Sequence, residues 1–240
     1  KMGLDVMSAG VALAWATEAL DKGVISPDQT LVPLRFGDTA NYEQALRHLG
    51  MGDNDFYRLL AQGAGRAAEH YGGGDYACVL GQEMAGYATG EVFFVSQALG
   101  FRHSHLDSGG YAYDQKHPDR EVDKALEFML ADEAGRVLLT SMVACLFARE
   151  VYKEPLVAQC LEAVGYGALA GGLGDVARRI QRLRWQLRLA TGYDPAAVQI
   201  PKRFTEVTTR KGPVDREFME ALRQRYAQAI VALGRETVQE

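Results

Sequence analysis

A mainly α fold, built as two packed helical domains with short β pieces, is predicted by three features of the 240-residue sequence. Apolar residues recur at helical spacing through most of the chain, candidate strands are few and short, and Gly- or Pro-bearing breaks separate the helical runs. The length suits one large unit or two closely packed ones.

The first helix is expected over 6–21, where apolar residues keep a helical period until Gly23 supplies a stop. Ser26-Pro27-Asp28 breaks the chain, 31–36 is expected to be extended, and Gly37-Asp38-Thr39 reads as a turn leading into an N-cap. Helices are then expected over 40–49 and 53–71, the second with Phe56, Leu59, Leu60, Ala64 and Ala67 on one face. The run Gly72-Gly73-Gly74 marks the expected boundary between a domain over 1–74 and a domain over 75–240. Beyond it come a short strand over 76–80, a small-residue turn over 84–90 and a brief helix over 92–99. Residues 100–118 carry no steady period, and loops of that length are usually functional. Helical patterns return over 119–130, 134–151, 154–164, 173–190 and 215–233, with a basic, extended connector over 200–213 and Pro155 acceptable in a first turn. The chain runs into its first helix almost at once, so an N-terminal truncation is expected.

Composition excludes several classes of partner. The net charge of -5 disfavours a general attraction to phosphate backbones, so nucleic acid is not expected as a partner. Arg178, Arg179, Arg182, Arg184 and Arg188 form a basic exception on a helical pattern, for which a solvated face is preferred over a phosphate site. Three cysteines without a close pair fit a reducing, cytoplasmic compartment better than a secreted one. No apolar run of about 20 residues and no signal sequence is present, so no membrane partner is expected.

The sharpest local feature is His103-Ser104-His105-Leu106-Asp107, because this spacing places two imidazoles and a carboxylate within reach of one point. It is similar to the HxHxDH signature of metallo-β-lactamase-type hydrolases, with Ser108 where the last His should stand. Such sites need further histidines, and only His117 follows. A loop whose histidines simply hydrogen-bond it in place is the plain alternative.

Over nearly the whole chain the sequence resembles the tungsten- and molybdenum-dependent aldehyde:ferredoxin oxidoreductase family. Gly3-Leu4-Asp5 is similar to the end of that family's DxxGL(D/C) motif, and Phe36-Gly37-Asp38 to its (W/F)GD turn. Leu60-Ala61-Gln62-Gly63 with Arg66-Ala67-Ala68 resembles LxEGxxRAA, and 82–87 resembles KGLELPxYD. His105-Leu106 falls on the HL of RGACHL, and 140–145 on a second pterin motif, DxxGLC. Ile200-Pro201-Lys202-Arg203-Phe204, followed by Gly212-Pro213, resembles LPxRF and the connector after it. The order of these segments is more specific than any one of them.

The resemblance implies the C-terminal part of such an enzyme, in which two pyranopterins hold one tungsten or molybdenum through dithiolene sulfurs while the protein positions the cofactor and manages protons. It would make His105 a proton donor or hydrogen-bonding group beside the metal, with His103 and Asp107 in support. Gly3, Leu4, Asp5, Thr140 and Ala144 would contact the pterins. Cys145 would be the fourth thiolate of one 4Fe–4S cluster, the other three coming from a CxxCxxxC motif upstream of this chain. Cys145 read by itself is equally a small buried apolar residue, the reading kept for Cys78 and Cys160. Thr140 stands in place of the motif's Asp, and Val143-Ala144 in place of Gly-Leu. A Thr hydroxyl still donates or accepts a hydrogen bond.

The implied activity is oxidation of an aldehyde to a carboxylate, with electrons passing through the cluster to ferredoxin or another iron–sulfur carrier. The implied partners are a small aldehyde or acyl substrate and the preceding part of the same protein, with a homo-oligomer left open. The fragment alone is expected to be inactive. Three other readings stand beside it: an aryl- or acyl-thioester reductase of the same family, a helical interaction module without cofactor, and a zinc hydrolase using the HSHLD loop.

Overall fold

The computed structural model describes residues 2–74, 78 and 79, 82 and 83, 87–102 and 106–236. The chain forms two compact units, Lys1–Tyr87 with Gln199–Val207, and Ala88–Val198 with Thr208–Glu240. It is mainly α. Among the described residues the strands are two antiparallel pairs, β1 (Cys78–Val79) with β2 (Gln82–Glu83), and β3 (Thr208–Thr209) with β4 (Gly212–Pro213).

In the first unit, α1 (Val6–Asp21) starts where Asp5 accepts the Ser8 amide at 2.8 Å, which satisfies one of the otherwise orphaned N-terminal donors. Its buried face is rich in alanine, with Ala9, Ala12, Ala16 and Ala19, so α3 (Thr39–Met51) and α5 (Ala64–Tyr71) can pack against it. Asp38 caps α3 in the same way. Pro27 breaks the preceding chain as expected but then opens a short helix, α2 (Pro27–Thr30), with a Ser26/Gln29 capping box. The expected single helix over 53–71 is two, α4 (Asp55–Leu60) and α5, because Gly63 turns the chain with φ at 107°, a backbone state that side chains disfavour. The segment expected to be extended over 31–36 is irregular, with Leu31 left-handed at φ 58°. The buried Tyr57 hydroxyl donates to the Thr30 carbonyl at 2.6 Å and ties α4 to α2, and burial pushes its phenol up to about 12. Residues 199–207 join this unit through a 3-10 turn, Lys202–Thr205, from which Arg203 pairs with Glu18 of α1.

The second unit is organised around α6 (Glu91–Ala98), whose eight residues are all buried. It is an interior helix, although Glu91, Ser96 and Gln97 are polar. It packs against α7 (Gly110–Lys116) and α12 (Arg216–Arg235), and α12 packs in turn on α8 (Val122–Ser141) and α11 (Leu173–Ala190). Helices α9 (Glu154–Ala163) and α10 (Gly167–Ala170) lie beside one another and precede α11. A Cβ at Gly110 would sit 3.0 Å from the Phe93 Cα, so only glycine allows α7 this close to α6. The structure differs from the sequence pattern at two places here. The region over 100–118 contains α7, and the two helices expected over 119–130 and 134–151 are one helix ending at Ser141, followed by a turn and the 3-10 segment Leu146–Ala148. The basic run on α11 is not simply a solvated face. Arg184 stacks over the Phe101 ring at 4.0 Å, and Arg188 lies 4.7 Å over Tyr193.

Buried charges fasten the ends of these helices. Asp114 of α7 accepts the Phe93 amide at 2.8 Å and Lys211 Nζ at 3.0 Å, with both side chains of the ion pair almost fully buried. Glu91 accepts from Arg120 Nε at 3.1 Å and from the Asp215 amide at 2.8 Å. Burial pushes the Asp114 carboxyl up, against the pull of Lys211. Replacing Lys211 by Met is expected to cost roughly 3 kcal/mol at pH 7, the usual penalty for leaving one buried charge unpaired. The cost should shrink at pH 4, where Asp114 takes up a proton, and urea unfolding of K211M at both pH values checks this.

Candidate cofactor site

The end of α8 shapes the first part of the site. Ala144 N–H donates to the Leu139 carbonyl at 3.0 Å and Val143 N–H to the Thr140 carbonyl at 3.1 Å, while Val143 is left-handed at φ 60°. This is a Schellman cap, in which the left-handed residue is normally Gly and the next residue packs back on the helix. Ala144 does pack back, against a small cluster formed by Leu139, Val157 and Leu173. Val143 therefore stands, 94% exposed, in a backbone conformation that a β-branched residue pays for. The turn ends at Cys145, whose thiol is exposed, at the entry to the 3-10 segment.

The opening of the chain repeats this backbone. Gly3 has φ at 71°, Leu4 packs on the core of the first unit, and Asp5 at φ -67° and ψ 124° begins α1. Cys145, at φ -70° and ψ 128°, has nearly the same conformation and also opens a helical segment. Two separate segments, 3–5 and 143–145, thus share a left-handed first residue and an extended third. A left-handed residue sets the turn, an apolar residue anchors it, and an extended residue presents an exposed Asp or Cys. Of the expected pterin contacts, Gly3, Leu4, Asp5 and Ala144 lie in these two turns and Thr140 in the last turn of α8.

His103 and His105 lie outside the described residues. Asp107 is described, and it faces inward, 3% exposed. Its carboxylate accepts the Arg102 amide at 2.7 Å and Arg102 Nε at 2.9 Å, with Arg184 Nη2 at 3.7 Å. Asp107 thus ties Arg102 to its own place in the chain. The segment that follows, 106–109, is fixed to α8. Asp132 accepts the Gly109 amide at 2.5 Å, and Arg136 reaches both Asp132 and the Leu106 carbonyl. Thr140 sits one turn beyond Arg136, so α8 both anchors the 106–109 segment and leads into the Cys145 turn.

The same helix also buries a carboxylate that the sequence did not single out. Glu133 is 2% exposed and accepts Gln181 Nε2 at 2.7 Å and Trp185 Nε1 at 3.1 Å. Burial pushes its carboxyl up to about 7, against those two donors and Arg184. Neither Glu133 nor the Asp132–Arg136 pair has a sequence signature, since a Glu or an i, i+4 ion pair within a helix ordinarily reads as solvated surface.

The arrangement can be tested against a pterin-held metal. The Thr140 hydroxyl donates to the Arg136 and Val137 carbonyls, leaving its lone pairs exposed as an acceptor. It keeps the accepting role of an Asp at this place but not the charge. Cys145 offers one exposed thiol, and among the described residues no three His, Cys, Asp or Glu side chains form a metal-holding group. A cluster at Cys145 would draw its other ligands from outside the described residues. The residues fit the cofactors in part.

The chain is thus a mainly α protein of two compact helical units, the second of which presents an exposed Cys just past a helix end. Residues 1–230 match the family model for aldehyde ferredoxin oxidoreductase, domains 2 and 3, and the chain belongs to that family. It is 28% identical over 236 residues to the tungsten-containing aldehyde ferredoxin oxidoreductase of Pyrococcus furiosus, covering 89% of this chain and 37% of the relative. The tungsten-containing aldehyde ferredoxin oxidoreductase of Thermococcus kodakarensis is 26% identical over 232 residues, with the same coverage of both chains. The chain thus spans just over a third of the length of these curated relatives. No described helix is long and apolar enough to cross a membrane.

Two outcomes are expected from this geometry. Val143→Gly should raise stability by roughly 0.5–1 kcal/mol, because the relieved left-handed strain exceeds the added chain entropy; thermal unfolding measures it. Glu133 binds its proton more tightly in the folded chain than the ordinary 4.5, so folding stability should fall as pH rises from about 4.5 through about 7. The loss attributable to this group is about 3 kcal/mol. Glu133→Gln should flatten that part of the stability profile in denaturant titrations run from pH 4 to pH 9.

Proposed function

We propose that this chain is the part of a tungsten- or molybdenum-pterin oxidoreductase that cradles the cofactor and supplies one ligand to a 4Fe–4S cluster. The reaction is oxidation of a small aldehyde to a carboxylate, with electrons delivered to ferredoxin or a similar iron–sulfur carrier. The observation that carries this reading is the Val143-Ala144-Cys145 turn. It keeps the backbone that the DxxGLC motif implies, even though neither Gly nor Leu is present, and it leaves the thiol exposed.

The metal and its pterins supply the two-electron chemistry at the aldehyde carbon when bound. The chain's own residues have narrower tasks. The turn at 3–5 presents backbone and short side chains to one pterin, and the turn at 143–145 does so to the other. Thr140 offers a neutral acceptor at the second of them. Cys145 binds as thiolate, which releases a proton. His105 donates or accepts a proton at the substrate oxygen, with an imidazole suited to neutral pH. His103 is the second imidazole of the same segment, and Asp107, two residues beyond His105, ties Arg102 in place. The first part of the protein, which provides the remaining cluster cysteines, is a required partner.

The test uses the complete protein. Metal analysis is expected to find tungsten or molybdenum together with about four iron atoms per chain, as one 4Fe–4S cluster requires. Cys145→Ser should remove most of the iron and the cluster's visible absorption while leaving tungsten or molybdenum largely in place. A protein containing neither metal nor iron would instead be a helical interaction module. Zinc bound in proportion to His103 and His105 would identify a hydrolase.

A further inference from the structure

We propose that the segment 142–172 is the surface on which the preceding part of the same protein packs, with Val143, Phe147 and Val151 at the centre of that contact. The inference rests on reading Cys145 as a cluster ligand whose companions come from that part.

The case starts from how little this segment buries. It runs from the end of α8 through the 3-10 segment, α9 and α10 to the start of α11, and Val157 is its one buried residue. The other two buried members of its small core, Leu139 and Leu173, belong to the flanking helices α8 and α11. The contrast with α6 is sharp, because α9 is two residues longer and buries one residue where α6 buries all eight. Large apolar side chains are present here, yet they face solvent. Phe147 is 86% exposed, and Val143, Val151, Val164 and Tyr166 are exposed as well. A segment with so small a core gains little from burial to offset the entropy of ordering it, and exposed apolar side chains gathered in one stretch mark a contact surface.

The thiol says where the partner sits. Val143 and Phe147 flank Cys145, each two residues away, and the Cys145 thiol is exposed. A 4Fe–4S cluster gathers four thiolates on one compact group, so the chain that brings the other three comes down onto Cys145. The side chains it meets beside the thiol are these two.

Charge says which partner it is. The segment has five charged side chains, Arg149, Glu150, Lys153, Glu154 and Glu162. Arg149 Nη2 donates to the Tyr111 hydroxyl at 3.0 Å, and Lys153 pairs with Glu150 at 3.5 Å, so both cations are engaged. An electron carrier that binds and leaves makes a small contact steered by charge, whereas permanent contacts are the more apolar ones. The surface around Cys145 is of the second kind, and its occupant is the preceding part of the protein.

The experiment uses the complete protein carrying Phe147→p-benzoylphenylalanine, an exchange of one aromatic side chain for another at an exposed position. After irradiation, peptide mass spectrometry is expected to find an adduct within one chain between position 147 and a peptide that precedes Lys1. No adduct, an adduct confined to residues 1–240, or an adduct to a second copy or to an added iron–sulfur carrier overturns the proposal. Hydroxyl-radical labelling of the unmodified protein gives a reading that depends on no variant. Phe147 is expected to label on the order of tenfold less than in the same protein unfolded in urea, because a packed contact excludes water as an interior does. Equal labelling overturns the proposal. Cys145→Ser separates this inference from the reading it rests on. Iron retained in C145S with Phe147 covered removes the cluster ligand alone, and iron lost in C145S with Phe147 freely labelled in the unmodified protein removes the contact alone.

Discussion

The interior of the second unit holds four carboxylates, Glu91, Asp107, Asp114 and Glu133, and the need to compensate each of them arranges everything around it. A buried charge without a partner costs several kcal/mol, so every such group recruits donors, and the donors come from elsewhere in the chain. Glu91 draws in Arg120 and the start of α12. Asp114 takes the first turn of α6 and the β3–β4 hairpin. Asp107 holds Arg102, and Glu133 fixes α8 to α11. Loops that would otherwise be free are tied at defined points by groups that cannot be released cheaply.

The same economy is seen along α8. With Asp132 and Arg136 on one turn and a Schellman cap further along, it holds the 106–109 segment and the Cys145 turn at two points of one helix. A bulky redox cofactor needs fixed surroundings more than it needs ligands from the protein, because its own sulfurs hold the metal. Polar backbone turns with short side chains meet that need.

The Val143 turn shows how a fold keeps a geometry after losing the residue best suited to it. The left-handed state costs a β-branched residue of order 1–2 kcal/mol, yet the turn is retained because Ala144 and Leu139 are packed together and two hydrogen bonds close the cap. Local preference is overridden by tertiary burial. The exposure of Val143 and Cys145 then follows from the turn and not from their chemistry.

The sequence by itself determined the helical class, most helix starts and the family. Periodicity, caps such as Asp5 and Asp38, and motif order are all local properties that survive without coordinates. It misjudged continuity. The break at Gly63 and the unbroken run through 130–134 depend on whether packing tolerates a kink, and the local pattern does not say. Only the tertiary structure decided that 199–207 returns to the first unit, that α7 lies inside the aperiodic region and that Asp107 turns inward. The same holds for Glu133, which in one dimension is indistinguishable from a solvated helix acid. Its character comes from being surrounded by Gln181, Arg184, Trp185 and Tyr226, residues some 50 to 90 positions away, and burial of that kind arises only when distant helices close over a charge.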